Sequence, residues 1–301
     1  MDRLTEMEAF IAVVDQGGFT GAARRMGLSK SAISKYIASL EQRLGTRLLE
    51  RTTRRVEPTD IGIAYYGRAR RIVRDAEEAD ILAGGTQQPP TGALRVSVPA
   101  DFGVTRFVPV LGRLLQDYPS LSIHTDLRQN NAIISASSDH DLTLGIGPEA
   151  IRPTGSRALA RSLRHLVAAP DYITRHGAPT RIEDLTDHAL LHHAQEAEAN
   201  IWHLTTSSGE TRTVRGNGRL TANDDRALLQ ACLDGCGIAY LPGYLTAEAL
   251  HDGTLVKVMP GLAGQPLSIS ALSPASEFTP PKVSALIDYL ITAFAAQSKA
   301  W

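Results

Sequence analysis

Between Ser29 and Leu44 the chain has room for only one periodicity. Ile33, Ile37, Leu40 and Leu44 recur at i, i+4, i+7 and i+11, which is one apolar stripe of an α-helix. The opposite face carries Ser31, Ser34, Lys35 and Ala38, and no acid appears before Glu41. A helix that only covers a core usually mixes both signs of charge on its outer face. Short hydroxyls beside lysines suit a major groove instead, where small donors reach base edges and cations lie against phosphates.

The flanking residues extend this pattern. Thr20 is positioned to N-cap a short helix through Ala22, Ala23, Arg24 and Met26; Gly27-Leu28 interrupts it, and Ser29 caps the next one. Helix, glycine turn and second helix make a helix-turn-helix, whose second helix reads DNA. An earlier helix, roughly Thr5 to Gln16, buries Met7, Phe10, Ile11 and Val14, and Phe19 closes this small core. Past Leu44-Gly45, two short strands around Thr52-Thr53-Arg54 form a wing.

Charge is informative here only locally. The whole chain has 31 Lys and Arg against 32 Asp and Glu. From Arg24 to Arg55, however, nine bases face two acids, the electrostatic footprint of a polyanion partner. Thr20, Ser29, Lys30, Ser31, Ser34, Lys35, Arg51, Arg54 and Arg55 are the expected contacts to double-stranded DNA.

Ala22-Ala23, Leu28-Ser29, Ala32-Ile33-Ser34, Ile37, Leu40-Glu41, Leu44-Gly45, Leu48-Leu49-Glu50-Arg51 and Thr59-Asp60-Ile61-Gly62 closely resemble the winged helix-turn-helix of LysR-type transcriptional regulators. The resemblance runs without a gap over roughly the first sixty residues. It departs at Lys30, where the family often has glutamine. It implies an operator-binding regulator that works as a homodimer or homotetramer.

Length and composition set outer limits. A chain of 301 residues, 43% hydrophobic and 21% charged, is an ordinary globular protein of two or three domains. No apolar run approaches a membrane span, and Ala9–Val14 is too short for a signal peptide, so a cytoplasmic protein is expected. Two cysteines do not make a disulfide framework.

From Thr59 to about Leu82 a long helix is expected, with Ile63, Tyr66, Ala69, Val73, Ala76 and Leu82 on one side. Such a stripe needs a partner. A second copy of the helix is the simplest supplier, and the chain's own winged domain is the other candidate. Gly84 to Gly92, rich in glycine, proline and small polar residues, reads as a linker.

Strands then alternate with helices: strands at 93–98, 121–125, 141–147, 165–169, 202–204, 238–241 and 267–272, and helices at about 102–116, 224–233 and 281–296. This alternation implies parallel α/β sheets. The layout resembles the effector-binding half of the same family, which shares its two-lobed fold with periplasmic solute-binding proteins. The motifs that fit are Asp141-Leu142, Tyr172 with His176-Gly177, Asp184-Leu185 and Gly237 to Pro242. The expected fold class is therefore α/β: a mainly helical winged domain (1–58), a linker helix (59–83), a hinge (84–91) and a periplasmic-binding-protein-like effector domain (92–301). By resemblance, lobe one is 92–161 plus 267–301 and lobe two is 162–266, with chain crossings near Ala160-Arg161-Ser162 and Gln265-Pro266.

Ligands in open α/β sheets bind beyond the carboxyl ends of strands. The first strand of the second half ends at Ala100, Asp101 and Phe102, which places these residues at the cleft. Many relatives carry serine or threonine there for a small carboxylate. Asp101 is either a helix N-cap or a carboxylate in the cleft, where it repels anions and favours a cationic or hydroxylated ligand. Gln129, Asn130, Gly147, Trp202, Thr221 and Asn223 complete the expected small-molecule site.

Enzyme and metal readings find little support. His188, His192 and His193 have suggestive spacing, but Ala189 stands where a zinc-protease motif needs glutamate. Cys232 sits in the apolar run around Leu228-Leu229 and reads as core. Adjacent Asp224 and Asp225 point in different directions on a regular element. No nucleophile elbow, phosphate loop or dinucleotide fingerprint occurs, so neither catalysis nor a cofactor is expected.

Overall fold

The structure, a computed structural model, describes residues 2–51, 56–84, 89–129, 139–194, 201–206, 210–274 and 279–301. The chain forms two compact units, 1–88 and 89–301.

Unit one contains α1 (Arg3–Asp15), α2 (Phe19–Met26), α3 (Lys30–Leu44), the antiparallel pair β1 (Leu49–Arg51) and β2 (Val56–Pro58), and α4 (Asp60–Gly84). Asp2 caps α1 by accepting from Leu4 N and Thr5 N. The core is Phe10, Val13, Ala22, Ile33, Ile37, Leu40 and Leu48, with Phe19 packed against it. Leu44 departs from the expected stripe and is 36% exposed, because Gly45 takes a left-handed conformation there and ends the helix.

Part of the α4 stripe is covered by the chain's own winged domain. Tyr65 and Tyr66 pack on the winged core, Tyr66 donates to Asp15, and Ala69 is buried. Ile63 lies outside this contact, and Ile61, Ile63 and Ile72 are about half exposed. Gly62 admits no side chain: an added Cβ would lie 2.1 Å from the Leu48 carbonyl oxygen.

Unit two opens with β3 (Gly92–Pro99), a helical turn α5 (Ala100–Phe102), a π-helical stretch Gly103–Phe107 and α6 (Val108–Asp117). It continues through β4 (Leu121–Arg128), β5 (Leu142–Pro148), β6 (Arg157–Ala168), α7 (Pro170–His176), β7 (Ala189–His193), β8 (Ile201–Thr206), β9 (Thr211–Arg215), β10 (Asn217–Ala222), α8 (Asp225–Leu233), β11 (Ile238–Pro242) and α9 (Gly243–His251). It closes with β12 (Val256–Lys257), β13 (Leu262–Ala263), β14 (Pro266–Leu272) and α10 (Pro281–Gln297).

Eight strands run in the order β10-β7-β11-β6-β14-β5-β3-β4, with β12 added beside β6. Strand β6 joins the two halves of this sheet. Its first part pairs with β14, with Leu267 opposite Ser162, and its second part pairs with β11, with Tyr240 opposite Leu166. Each half has its own core: Val96, Phe102, Leu144, Ile269 and Phe294 on one side, and Leu166, Leu190, Trp202, Val214 and Ile238 on the other.

The expectation of parallel sheets holds for β3 beside β4 and β5 and for β7 beside β10 and β11, and needs correction elsewhere. Strand β14 is antiparallel to both neighbours, β11 is antiparallel to β6, and β8, β9 and β13 form a separate antiparallel sheet. Chains that cross between two lobes must run in opposite senses, which forces the antiparallel centre.

Candidate functional site

In unit one, three features fix the position of α3. Ser29 Oγ accepts from Ala32 N at 3.1 Å, which fixes the helix start. Gly27, with φ +66°, closes α2 in the left-handed conformation that makes the tight turn. Glu41 Oε1 accepts from Leu48 N at 2.8 Å and Leu49 N at 3.0 Å, tying the helix to the first wing strand.

Glu6 of α1 is buried and accepts from Ser39 Oγ at 2.5 Å and from Arg43 Nε and Nη2 at 3.2 and 3.0 Å. Burial pushes its pKa up, but the bonds from Ser39 and Arg43 outweigh this and hold it below the ordinary carboxylate range. Glu6 and Glu41 are thus both engaged in internal bonds.

The outward side is cationic and hydroxylated. Lys30, Ser31, Lys35 and Ala38 are exposed, Ser34 is half-buried, and Ser29 Oγ lies 2.9 Å from Ser31 Oγ. Thr20 is not the N-cap: Gly18 takes that position without a side-chain bond, and Thr20 lies exposed in the first turn of α2. The helix starts two residues early because Phe19 enters it to reach the core. Arg51 ends β1, while Arg54 and Arg55 lie outside the described residues.

In unit two, Ala100, Asp101, Gln129 and Asn223 line one small cavity between the two halves of the sheet, with a volume of about 10 Å³. Arg128, His193, Asp224 and Asp225, which sequence reasoning missed, line it too. Their signal was available, since Arg128 ends β4 and His193 ends β7, and both follow the strand-end rule.

Asp101 is not an N-cap, a position held by Pro99. Its carboxylate is 4% exposed, and Oδ2 accepts from the Tyr244 hydroxyl at 2.5 Å. Burial, followed by the charges of Asp101 and Asp225, pushes the Tyr244 phenol well above its usual pKa. The Tyr244 amide donates to Ser162 Oγ at 3.1 Å, and its carbonyl accepts from Arg106 Nε at 2.7 Å. One residue thereby links the cavity to the joining strand β6.

Asp224 caps α8 and is held by Arg226, whose Nε and Nη2 lie at 3.1 and 2.6 Å; these bonds keep its carboxyl below the ordinary range. Asp225 lies 4.0 Å from His193 Nε2. Arg128 donates to the Leu144 carbonyl.

Other expected residues fall elsewhere. Phe102 is fully buried in an aromatic cluster, with ring centroids 5.2 Å from Tyr244 and 5.4 Å from Phe294. Trp202 is 2% exposed in the lobe-two core, 5.1 Å from the His192 ring. A large apolar ring at a strand end gains more from full burial than from a polar cleft. Gly147 pairs with Ser268 in mid-sheet, Thr221 is exposed beside His192 in β10, and neither lines the cavity. Asn130 lies outside the described residues.

His188 meets the Tyr172 hydroxyl, whereas His192 and His193 have the separate surroundings given above. Among the described residues, no group of three or more His, Cys, Asp or Glu is placed to hold a metal. Cys232 is buried, bonds to the Val167 carbonyl, and has its thiol pushed up to about 12 by that burial.

Two family models match the chain: "Bacterial regulatory helix-turn-helix protein, lysR family" over residues 4–63, and "LysR substrate binding domain" over residues 87–295. The chain belongs to the LysR family of transcriptional regulators. An HTH-type transcriptional regulator of Xanthomonas campestris pv. campestris is 32% identical, covering 96% of this chain and 85% of that one. The regulator DmlR of Escherichia coli is also 32% identical, covering 97% and 94%. The full-length virulence activator AphB of Vibrio cholerae superposes with a TM-score of 0.60 at 27% identity, covering 97% and 99%. In this LysR-family chain the helix-turn-helix match contains all of α3, and the substrate-binding match contains every residue that lines the cavity. Among the described residues, no helix is long and apolar enough to cross a membrane.

Proposed function

We propose that this LysR-family regulator reads its operator with the outward face of α3 and grips the backbone with the wing. In this reading Ser29, Lys30, Ser31, Ser34 and Lys35 enter the major groove, with Thr20 and the wing arginines Arg51, Arg54 and Arg55 against phosphates. The observation that carries it is the division of charge on α3: Glu41 is turned inward onto Leu48 and Leu49, while Lys30 and Lys35 remain exposed. A small-molecule effector sits in the cavity lined by Ala100, Asp101, Gln129 and Asn223 and biases the lobe arrangement through Tyr244 and β6. Bias requires different affinities for two arrangements, so tight binding alone is insufficient.

The regulator is cytoplasmic and non-catalytic, with residues 1–58 as DNA-binding domain, 59–83 as linker helix, 84–91 as hinge and 92–301 as effector domain. The exposed Ile61, Ile63 and Ile72 of α4 support assembly into a homodimer, or a homotetramer built from it. Selection of genomic fragments by the full chain tests the reading. It predicts enrichment of a few sites with paired half-sites, and capture of random fragments contradicts it.

A further inference from the structure

Taking the cavity as the effector site, we infer that its ligand presents a primary ammonium group, with Asp101 as the counter-ion. Three acids line the space, and two have cationic or titratable neighbours in place: Arg226 on Asp224, and His193 4.0 Å from Asp225. Arg226 also bears on Asp101 through its charge, but its hydrogen bonds go to Asp224. Asp101 Oδ2 receives the Tyr244 hydroxyl, whereas Oδ1 is buried and accepts no hydrogen bond among the described residues. A buried carboxylate oxygen without a donor is a site that a ligand donor completes.

Size narrows the donor. A cavity of about 10 Å³ holds one water molecule or one group of that size. An –NH3+ group fits; a guanidinium or a trimethylammonium does not. A simple carboxylate would bring like charge against Asp101 at low dielectric. The ammonium fills this space and the rest of the ligand must extend out of it past Arg128 and Gln129, so the ligand is either a plain alkylamine or an amino acid that carries its own carboxylate.

The test is thermal unfolding of the full chain at constant ionic strength with four probes: n-pentylamine, norvaline, choline and valerate. Pentylamine or norvaline should raise the midpoint by about 3 °C or more at ten times its Kd, and which of the two does so separates amine from amino acid. Choline and valerate should leave it unchanged. Asp101→Asn should weaken the amine at least tenfold. Should that variant fold poorly, Asn223→Asp, at an exposed position on the cavity wall, should tighten the amine severalfold. Stabilisation by valerate but not by the amines refutes the ammonium class and leaves the cavity as an effector site. Equal amine binding by wild type and Asp101→Asn, with no gain from Asn223→Asp, also refutes it. No shift with any probe, together with unchanged operator-driven transcription in cells carrying Asn223→Trp, removes both the ammonium and the cavity.

Discussion

Removing the Glu6 carboxylate should loosen the recognition helix from behind without touching its outer face. The carboxylate is 3% exposed and accepts three bonds from α3, one from Ser39 and two from Arg43. Breaking a buried ion pair from one side costs about 3–5 kcal/mol. Arg43 is 30% exposed, so water replaces part of what it loses, and about 2–4 kcal/mol is the expected cost of Glu6→Ala. Glu6→Gln keeps an acceptor but loses the charge, which roughly halves each bond, so about 1–2 kcal/mol is expected.

Against a stability of about 5–15 kcal/mol these are large fractions. Hydrogen exchange of α1 and α3 peptides in the full chain reads them directly. Glu6→Ala should speed exchange by about 30- to 1000-fold, while peptides from 89–301 serve as the internal reference. The sign with pH follows from the lowered carboxyl pKa. The stabilisation is present above the unfolded value of about 4.3 and is lost as pH falls through the lower folded value. Glu6→Gln should remove this acid sensitivity. Exchange in α3 unchanged within about threefold in Glu6→Ala would refute the claim that Glu6 pins the helix.

Other outcomes follow from single features. Gly62→Ala drives a Cβ into the Leu48 carbonyl and should cost about 1–3 kcal/mol by urea unfolding; a neutral result would mean that α4 is free to shift away from the wing. Only Cys236, which is exposed, should react with a thiol reagent at pH 8, because Cys232 is buried with its thiol pushed up to about 12; two fast thiols would contradict that burial. His165 has its pKa lowered to about 4 by burial and then by Lys257. It should stay neutral where an unfolded histidine charges, so its contribution to stability falls as pH drops from about 6.5 towards 4; an NMR titration midpoint near 6.5 would overturn this. Ile61→Glu with Ile72→Glu should reduce a dimer to monomer by analytical ultracentrifugation; an unchanged oligomer moves the interface off α4.

Much of unit one was readable because local rules agree there. The Ser29 cap, the Gly27 turn and the Ile33-Ile37-Leu40 stripe all specify the same helix, and the structure has it. The roles of Glu6 and Glu41 were not readable, because their partners lie 33 to 37 and 7 to 8 residues away and only the folded chain brings them together. In α4 the stripe was visible but its cover was not, since periodicity shows which face is apolar and never which surface meets it.

Unit two shows the same division. Strands with buried hydrophobic runs, such as β3, β11 and β14, stood out, whereas β9 and β10, rich in exposed polar residues, passed for loop. The strand-end rule led to Ala100, Asp101, Gln129 and Asn223 in one cavity. It misplaced Phe102, and Trp202, expected in the site by chain position alone, is core near the start of β8, because chain position does not say which face of the sheet a ring takes.

The most direct measurement is a fluorescence-anisotropy titration of a genomically selected operator with wild type and with the Ser34→Ala, Lys35→Ala double variant. Two lost contacts of about 1–3 kcal/mol each predict an affinity at least tenfold lower on the operator, with a smaller loss on random duplex. Equal operator affinity for both proteins, at matched salt, would show that the outward face of α3 does not lie against DNA.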